Sequence, residues 1–255
     1  MDRDTMQKAL DELYKKELDT SRLREIFNDE KMLKKISAPF LINVDQSYLD
    51  AKIKILFVGK ETNKWWGKLS DFIDMPDSIE ILKDRYRAEF FGGEVKSKQS
   101  SLTNYKAENW GNPFFTEYKK IRKALLDNKK GALVWSNLLK MDFDSGKGYS
   151  KNSKDIEAIV SISKHIFKKE LEILKPDVII FATSYTYDKI IKNYYNNQDL
   201  ETIEIIEPKS LWKFKIGKTI CYRTWHPSTI TYKAEKNKLE YYKDVILDIK
   251  NDTQT

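Results

Sequence analysis

The segment "ILKPDVIIFAT", residues 173–183, shows how this chain passes from helix to strand. Residues 154–174 carry a helical pattern that stops before Lys175 and Pro176, because the residue preceding a proline disfavours the helical backbone. The run 177–183 is almost entirely apolar, which predicts a strand buried on both faces. A helix that leads directly into a buried strand is typical of a sheet covered by helices.

The same alternation of apolar runs and helical patterns extends in both directions from this segment. Further strands are predicted at 52–61 ("KIKILFVGKE"), 131–142 ("GALVWSNLLKMD"), 202–206 and 218–225. Further helices are predicted at 4–18, 20–36, 77–90, 114–128, 184–196 and 234–250, with Thr20 or Ser21 as the cap of the second. The pattern predicts a three-layer α/β/α sandwich around a central, mainly parallel sheet. We expect residues 1–50 to form an N-terminal helical extension and residues 51–255 to form the α/β domain.

Composition limits the chemistry that this protein can carry out. The 255-residue chain is 40% hydrophobic, enough for a substantial core, and its net charge of +7 permits a polyanionic partner. One cysteine, Cys221, and two histidines, His165 and His226, leave little for a thiolate or imidazole metal site. We therefore expect no metal and no other cofactor, and we expect His165, inside a predicted helix, to be structural.

Neither a membrane span nor a signal peptide is predicted. No apolar run approaches the roughly 18 residues of a membrane span. The start "MDRDTMQKAL" has acidic residues where a signal peptide would have a basic region. We expect a cytoplasmic protein that acts as a monomer.

Polar residues follow each predicted buried strand. Ligands of such sheets bind beyond the carboxyl ends of the strands. These exits are "GKETNKWWG" (59–67), "SNLLK" (136–140), "TSYTY" (183–187) and "HPSTIT" (226–231). We expect the four exits to converge in space and to form the functional site.

Four segments, taken in order, resemble motifs of the uracil-DNA glycosylase superfamily over roughly residues 50 to 250. "ILFVGKETN" resembles the first motif, an apolar strand followed by a glycine, any residue, and an acidic or amide residue. "LVWSNLLK" resembles the strand whose terminal Asn reads the base. "ILKPDVIIFAT" resembles the next strand, and "HPSTIT" resembles the second motif, His-Pro-Ser followed by an apolar wedge.

The resemblance implies a monofunctional DNA glycosylase. Such an enzyme flips a pyrimidine out of DNA and hydrolyses its N-glycosidic bond, which leaves an abasic site. Glu61 would hold the attacking water and stabilise the positive charge that develops on the sugar. His226, as a neutral imidazole, would donate a hydrogen bond to the pyrimidine O2 as negative charge develops there.

Substrate and DNA contacts follow from the same resemblance. Asn137 would pair with the pyrimidine edge, since an amide both donates and accepts. Gly59 and Asn63 would line the pocket, and the aromatic residue that stacks on the extruded base would be one of Phe114, Phe115, Trp65 and Trp66. Ser228, Thr229 and Lys233 would contact phosphates, and Ile230 would enter the duplex where the base left.

Two positions depart from the family pattern and bear on the substrate. Thr62 stands where the first motif usually has proline, and Asn63 stands where uracil-specific relatives have tyrosine. That tyrosine fills the space beside pyrimidine C5, so the smaller, polar Asn63 predicts a pocket open to a C5-modified pyrimidine. Hydroxymethylated or glycosylated bases of phage DNA fit this description, and such an enzyme would serve antiviral defence as well as DNA repair.

Other readings of the same residues remain open. If Trp65 or Trp66 folds back to close the C5 side, the enzyme would release ordinary uracil. The chain could also be a non-catalytic DNA-binding protein on the same fold. A third alternative is an α/β enzyme that acts on small nucleotides, with the basic charge incidental.

Overall fold

The computed structural model describes residues 2–62, 67–91, 113–144, 153–195, 199–229 and 236–253. The chain divides into two compact units, each assembled from three stretches. Unit 1 comprises Met1–Asp45, Glu61–Ala107 and Ser136–Leu174, and unit 2 comprises Gln46–Lys60, Glu108–Trp135 and Lys175–Thr255. The separation of residues 1–50 from 51–255 stays a prediction.

The described residues form ten α-helices and six strands. The helices are α1 Arg3–Glu17, α2 Thr20–Ile26, α3 Glu30–Leu33, α4 Gln46–Leu49, α5 Leu69–Asp74, α6 Ser78–Phe90, α7 Pro113–Leu125, α8 Glu157–Leu174, α9 Asp188–Tyr194 and α10 Glu240–Asp252. The strands are β1 Ile55–Gly59, β2 Leu133–Asn137, β3 Val178–Phe181, β4 Leu200–Glu207, β5 Leu211–Ile216 and β6 Thr219–Arg223. In the described part of the chain, no helix is long and apolar enough to cross a membrane.

The six strands form one mixed sheet in the order β2-β1-β3-β6-β5-β4. Strands β1, β3 and β6 run parallel, whereas β4, β5 and β6 are joined as antiparallel neighbours. All residues of β1 and β3 are buried, as their unbroken apolar runs predict. The predicted α/β class with a mainly parallel sheet is confirmed.

Strand β5 has no counterpart among the predicted strands. It pairs with both β4 and β6, and its Trp212 and Phe214 rings stack with centroids 4.0 Å apart. Lys213 and Lys215 alternate with these aromatic residues, so that only one face of the strand is apolar. An alternating strand of six residues gives a weaker signal than the continuous apolar runs of β1 and β3.

Aromatic residues form much of the core of unit 2. The Phe57 ring of β1 lies 4.8 Å from Phe114, 6.1 Å from Tyr118 and 6.3 Å from Tyr242, measured between ring centroids. Phe114 and Tyr118 belong to α7 and Tyr242 belongs to α10, and these two helices pack together. The contacts fix the start of α7 against β1, near the carboxyl end of that strand.

Unit 1 is built mainly from helices. Helix α1 packs against α8 and α6, and α3 packs against α5. The single helix predicted over residues 20–36 is wrong, because α2 ends at Ile26 and α3 begins at Glu30. The predicted caps are also wrong: the Asp19 carboxylate accepts the hydrogen bond of the Arg22 N–H at 3.0 Å. The Asp29 carboxylate does the same for the Lys31 N–H, so each short helix has its own aspartate cap.

Candidate active site

The carboxyl ends of three parallel strands lie side by side in unit 2. Val58 of β1 is in register with Phe181 of β3, which is in register with Arg223 of β6. The alignment continues past the strands, since the Ser184 N–H donates to the Thr224 carbonyl at 2.9 Å. The structure therefore brings together the carboxyl ends of β1, β3 and β6 and the segments that follow β3 and β6, at the edge where ligands of such sheets bind.

His226 is held in a tight turn at this edge. Its carbonyl accepts a 2.9 Å hydrogen bond from the Thr229 N–H, and its own N–H donates to the Ser184 hydroxyl at 2.8 Å. The Ser228 N–H donates to the imidazole Nδ1 at 3.2 Å. Because Nδ1 is an acceptor, the proton of the neutral ring resides on Nε2, which is then a donor.

The environment of His226 keeps its imidazole neutral. Burial, reinforced by the positive charges of Lys60 and Lys238, lowers the pKa of His226 to about 3. The ring therefore carries no charge at physiological pH. The sequence analysis expected a neutral imidazole at this residue.

Of the two aromatic candidates within the described residues, Phe114 and Phe115, it is Phe114 whose ring contact with His226 is observed. The centroids of the two rings lie 5.1 Å apart with an interplanar angle of 33°. The Phe114 ring also packs against the Trp135 ring, with their centroids 4.5 Å apart. Phe115 instead stacks on Tyr118 of the same helix, at 5.5 Å and 6°. Both phenylalanine side chains are buried, and the Phe114 ring packs against the imidazole of His226.

Ser184 is a site residue that the sequence analysis did not single out. It is buried, and its backbone has φ 60° and ψ 162°, a region occupied almost only by glycine. Its hydroxyl accepts the His226 N–H and lies 3.3 Å from the Thr229 hydroxyl. A glycine would relieve the backbone strain but would leave the His-Pro-Ser turn without this hydroxyl anchor.

Two predicted site residues, Glu61 and Asn137, belong to unit 1. Glu61 is half-buried, and its neighbour Thr62 is buried with its hydroxyl 2.9 Å from that of Ser37. The Ser37 hydroxyl in turn accepts the Asp142 N–H. Thr62 is thus an anchor of this segment. Asn137 is buried at the end of β2.

A buried polar network lies beside Asn137 in unit 1. Lys140 donates to the Ser136 hydroxyl at 2.6 Å and to the Glu170 carboxylate, and all three side chains are fully buried. Tyr14 donates to Glu170 at 2.9 Å and accepts the Ile42 N–H at 3.0 Å. Burial lowers the pKa of Lys140 and raises that of Glu170. The network pins the residues on both sides of Asn137.

The remaining predicted residues are placed only in part. Gly59 is buried at the end of β1, Ser228 is exposed, Thr229 is half-buried, and its carbonyl accepts a hydrogen bond from Lys238. His165 is exposed on α8. The predictions for Asn63, Trp65, Trp66, Ile230 and Lys233 lie outside the described residues. Lys238 is a cation near His226 that the sequence analysis missed, because it lies twelve residues further along the chain.

Within the described ranges, no three His, Cys, Asp or Glu side chains are grouped so that they could hold a metal ion.

A scan against protein-family models and a search of curated proteins both find no match to this chain. Fold and site together define an α/β protein with a candidate active site around His226, at the carboxyl edge of a mixed sheet. The resemblance to the uracil-DNA glycosylase superfamily stays a prediction.

Proposed function

We propose that this protein is a DNA glycosylase with a three-layer fold like that of uracil-DNA glycosylases. It flips a pyrimidine out of DNA and hydrolyses the bond between base and sugar. The observation that carries the proposal is the state of His226: a neutral imidazole, oriented by Ser184 and Ser228, whose Nε2 is a donor at the carboxyl edge of the sheet.

This donor suits the chemistry of base release. Cleavage of the N-glycosidic bond leaves negative charge on the pyrimidine, much of it on O2. A preorganised N–H strengthens its hydrogen bond as that charge develops, and loss of one such donor typically costs about 10² to 10³ in rate. Because Nδ1 accepts the Ser228 N–H, the proton of the neutral ring is on Nε2, which is therefore the nitrogen that can donate to O2.

Two lysines add to the effect. The charges of Lys60 and Lys238 disfavour a second proton on His226, which means that their positive potential reaches the imidazole. The same potential favours an anionic pyrimidine facing that ring. The arrangement therefore opposes charge on the donor and supports charge on the leaving group.

The other roles in this proposal rest on the sequence motifs. Glu61 is the carboxylate that orients the water, and Asn137 reads the pyrimidine edge. The substrate is a C5-modified pyrimidine, with uracil as the alternative, and the biological setting is defence against modified phage DNA or DNA repair. The partner is DNA, and the reaction needs no cofactor.

Formation of abasic sites tests the proposal. The protein is incubated in EDTA with duplexes that each carry one modified pyrimidine, and alkali then cleaves the DNA at any abasic site. We expect a single alkali-dependent break at the modified base. Binding without breaks on every duplex would indicate the non-catalytic alternative. Breaks that need a divalent ion and no alkali would indicate a nuclease and would contradict the proposal.

A further inference from the structure

A partly exposed aromatic pair flanks the candidate catalytic histidine. Tyr185 directly follows Ser184, and Trp225 directly precedes His226. Ser184 and His226 are joined by the 2.8 Å hydrogen bond, while the Tyr185 and Trp225 rings meet edge to face at 5.8 Å and 88°. The aromatic pair is thus one residue, about 3.8 Å of backbone, from the site on both chain segments.

A lysine completes this group, which we name the flanking patch (Tyr185, Lys209 and Trp225). The Lys209 ammonium lies 5.5 Å from the centroid of the Tyr185 ring. Lys209 is exposed, and 38% of the Tyr185 surface is exposed as well. Trp225 is half-buried, and its indole nitrogen has no hydrogen-bond partner among the described residues.

Buried contacts hold the flanking patch in place. Arg223, only 3% exposed, donates to the Lys209 carbonyl at 2.8 Å and pairs with Asp188 at 2.9 Å. Lys209 itself has a positive φ of 68°, a conformation that non-glycine residues rarely adopt. The Trp225 carbonyl accepts a hydrogen bond from Tyr242. Single exposed aromatic residues are ordinary on protein surfaces. The Tyr185 ring differs because it contacts both the Trp225 indole and the Lys209 ammonium, which come from two other chain segments.

We propose that the flanking patch binds the nucleotide next to the flipped pyrimidine, with that neighbour unpaired. The Tyr185 ring supplies a stacking face for its base, and Lys209 supplies a cation for the adjoining phosphate. Aromatic stacking combined with positive charge is how proteins hold single-stranded nucleic acid without reading its sequence. The inference rests on the proposed function and adds to it a substrate class, DNA that is single-stranded beside the target base.

The test measures binding of unmodified DNA, which requires no base release. Anisotropy of a labelled single-stranded oligonucleotide is compared with that of the matched blunt duplex at fixed salt. We expect Tyr185→Ala to weaken single-strand binding by about 10-fold and to affect the duplex much less, since duplex bases are already stacked. Tyr185→Trp keeps an aromatic face and should restore single-strand binding.

Charge variants provide the matched control. Lys218 lies in the turn before β6, at the opposite edge of the sheet, so Lys218→Ala removes the same charge away from the flanking patch. We expect Lys209→Ala to lower the slope of log affinity against log salt by about 1 and Lys218→Ala to leave that slope unchanged. Equal effects of the two lysine variants would overturn the phosphate contact.

The outcomes for the flanking patch and for the glycosylase activity are separable. If the wild-type protein releases a base but Tyr185→Ala binds single strands as the wild type does, the flanking patch is wrong and the proposed function stands. If no tested DNA loses a base but single-strand binding depends on Tyr185, the proposed function is wrong and the flanking patch stands. Thermal unfolding of each variant checks that the exposed substitution leaves the fold intact.

Discussion

The Ser184 hydroxyl accepts the backbone N–H of His226 at 2.8 Å, from a residue whose own backbone has φ 60° and ψ 162°. Holding a serine in that region costs about 1–3 kcal/mol, and such strain persists only where the surrounding structure imposes it. Glycine would adopt this backbone conformation without strain, but it has no hydroxyl to accept the His226 N–H. Ser184 is therefore a positioning residue for the His-Pro-Ser turn.

Two substitutions at Ser184 separate the strain from the hydroxyl. Ser184→Ala keeps the strain and loses the acceptor, so we expect it to lose about 1–3 kcal/mol of unfolding free energy. Ser184→Gly also loses the acceptor but relieves the strain, so its stability should lie close to that of the wild type. Both should slow single-turnover base release, because both free the His226 turn. Urea unfolding and single-turnover kinetics measure the two effects, and a wild-type rate in both variants would exclude a positioning role.

Removal of the proposed catalytic groups should reduce the chemical step and spare binding. We expect His226→Ala and Glu61→Gln each to lower the single-turnover rate of base release by at least about 10²-fold. DNA affinity should change little, since most affinity comes from phosphate contacts. His165→Ala, an exposed histidine on α8, is the matched control and should retain the wild-type rate. Near-normal rates in both site variants would contradict the proposed active site.

The low pKa of His226 predicts a pH dependence of stability. In the unfolded chain a histidine titrates near pH 6.5, whereas folding lowers the pKa of His226 to about 3. Between these values the unfolded state binds more protons, so the free energy of unfolding rises with pH. The contribution is fully present above about pH 6.5 and is lost as the pH falls toward 3. Urea unfolding at pH 7, 5 and 4 should show a shallower loss in His226→Gln than in the wild type, and equal slopes would refute the shift.

Some features of the fold and of the candidate site could be predicted from the sequence, and others could not. The buried strands β1 and β3 were predictable because their apolar runs are continuous. Strand β5 was missed because Lys213 and Lys215 interrupt its apolar residues. The role of Ser184 depends on a backbone with positive φ, which a sequence indicates only where glycine occupies the position. The pairing of Lys140 with Glu170 joins residues thirty positions apart, and nothing local to either residue indicates the partner.

Removal of either partner of the buried Lys140–Glu170 pair should strongly lower the free energy of unfolding. Glu170→Leu or Lys140→Met leaves an uncompensated charge in a fully buried position, so each should cost about 3–5 kcal/mol of unfolding free energy. The double variant Lys140→Met with Glu170→Leu should cost less than the sum, because it removes both charges. Lys169→Ala breaks an exposed pair with Glu172 on the same helix and should cost less than about 1 kcal/mol. Additive losses in urea unfolding of the double variant would show that the pair is not coupled.

In the proposed function, the identity of the released base depends on Asn63, which the sequence resemblance aligns with a tyrosine that uracil-specific glycosylases place against pyrimidine C5. An apolar wall distinguishes one methyl group by only about 1–3 kcal/mol, whereas a pocket that hydrogen-bonds a hydroxyl rejects analogues without it far more strongly. We expect faster base release from duplexes with a C5-hydroxymethylated or glycosylated pyrimidine than from matched duplexes with uracil. Asn63→Tyr should reverse that order, since the phenol ring refills the space beside C5. Single-turnover rates on the matched duplexes measure both effects. Efficient release of uracil, with no release of any C5-modified base, would exclude the open pocket and leave an ordinary uracil enzyme.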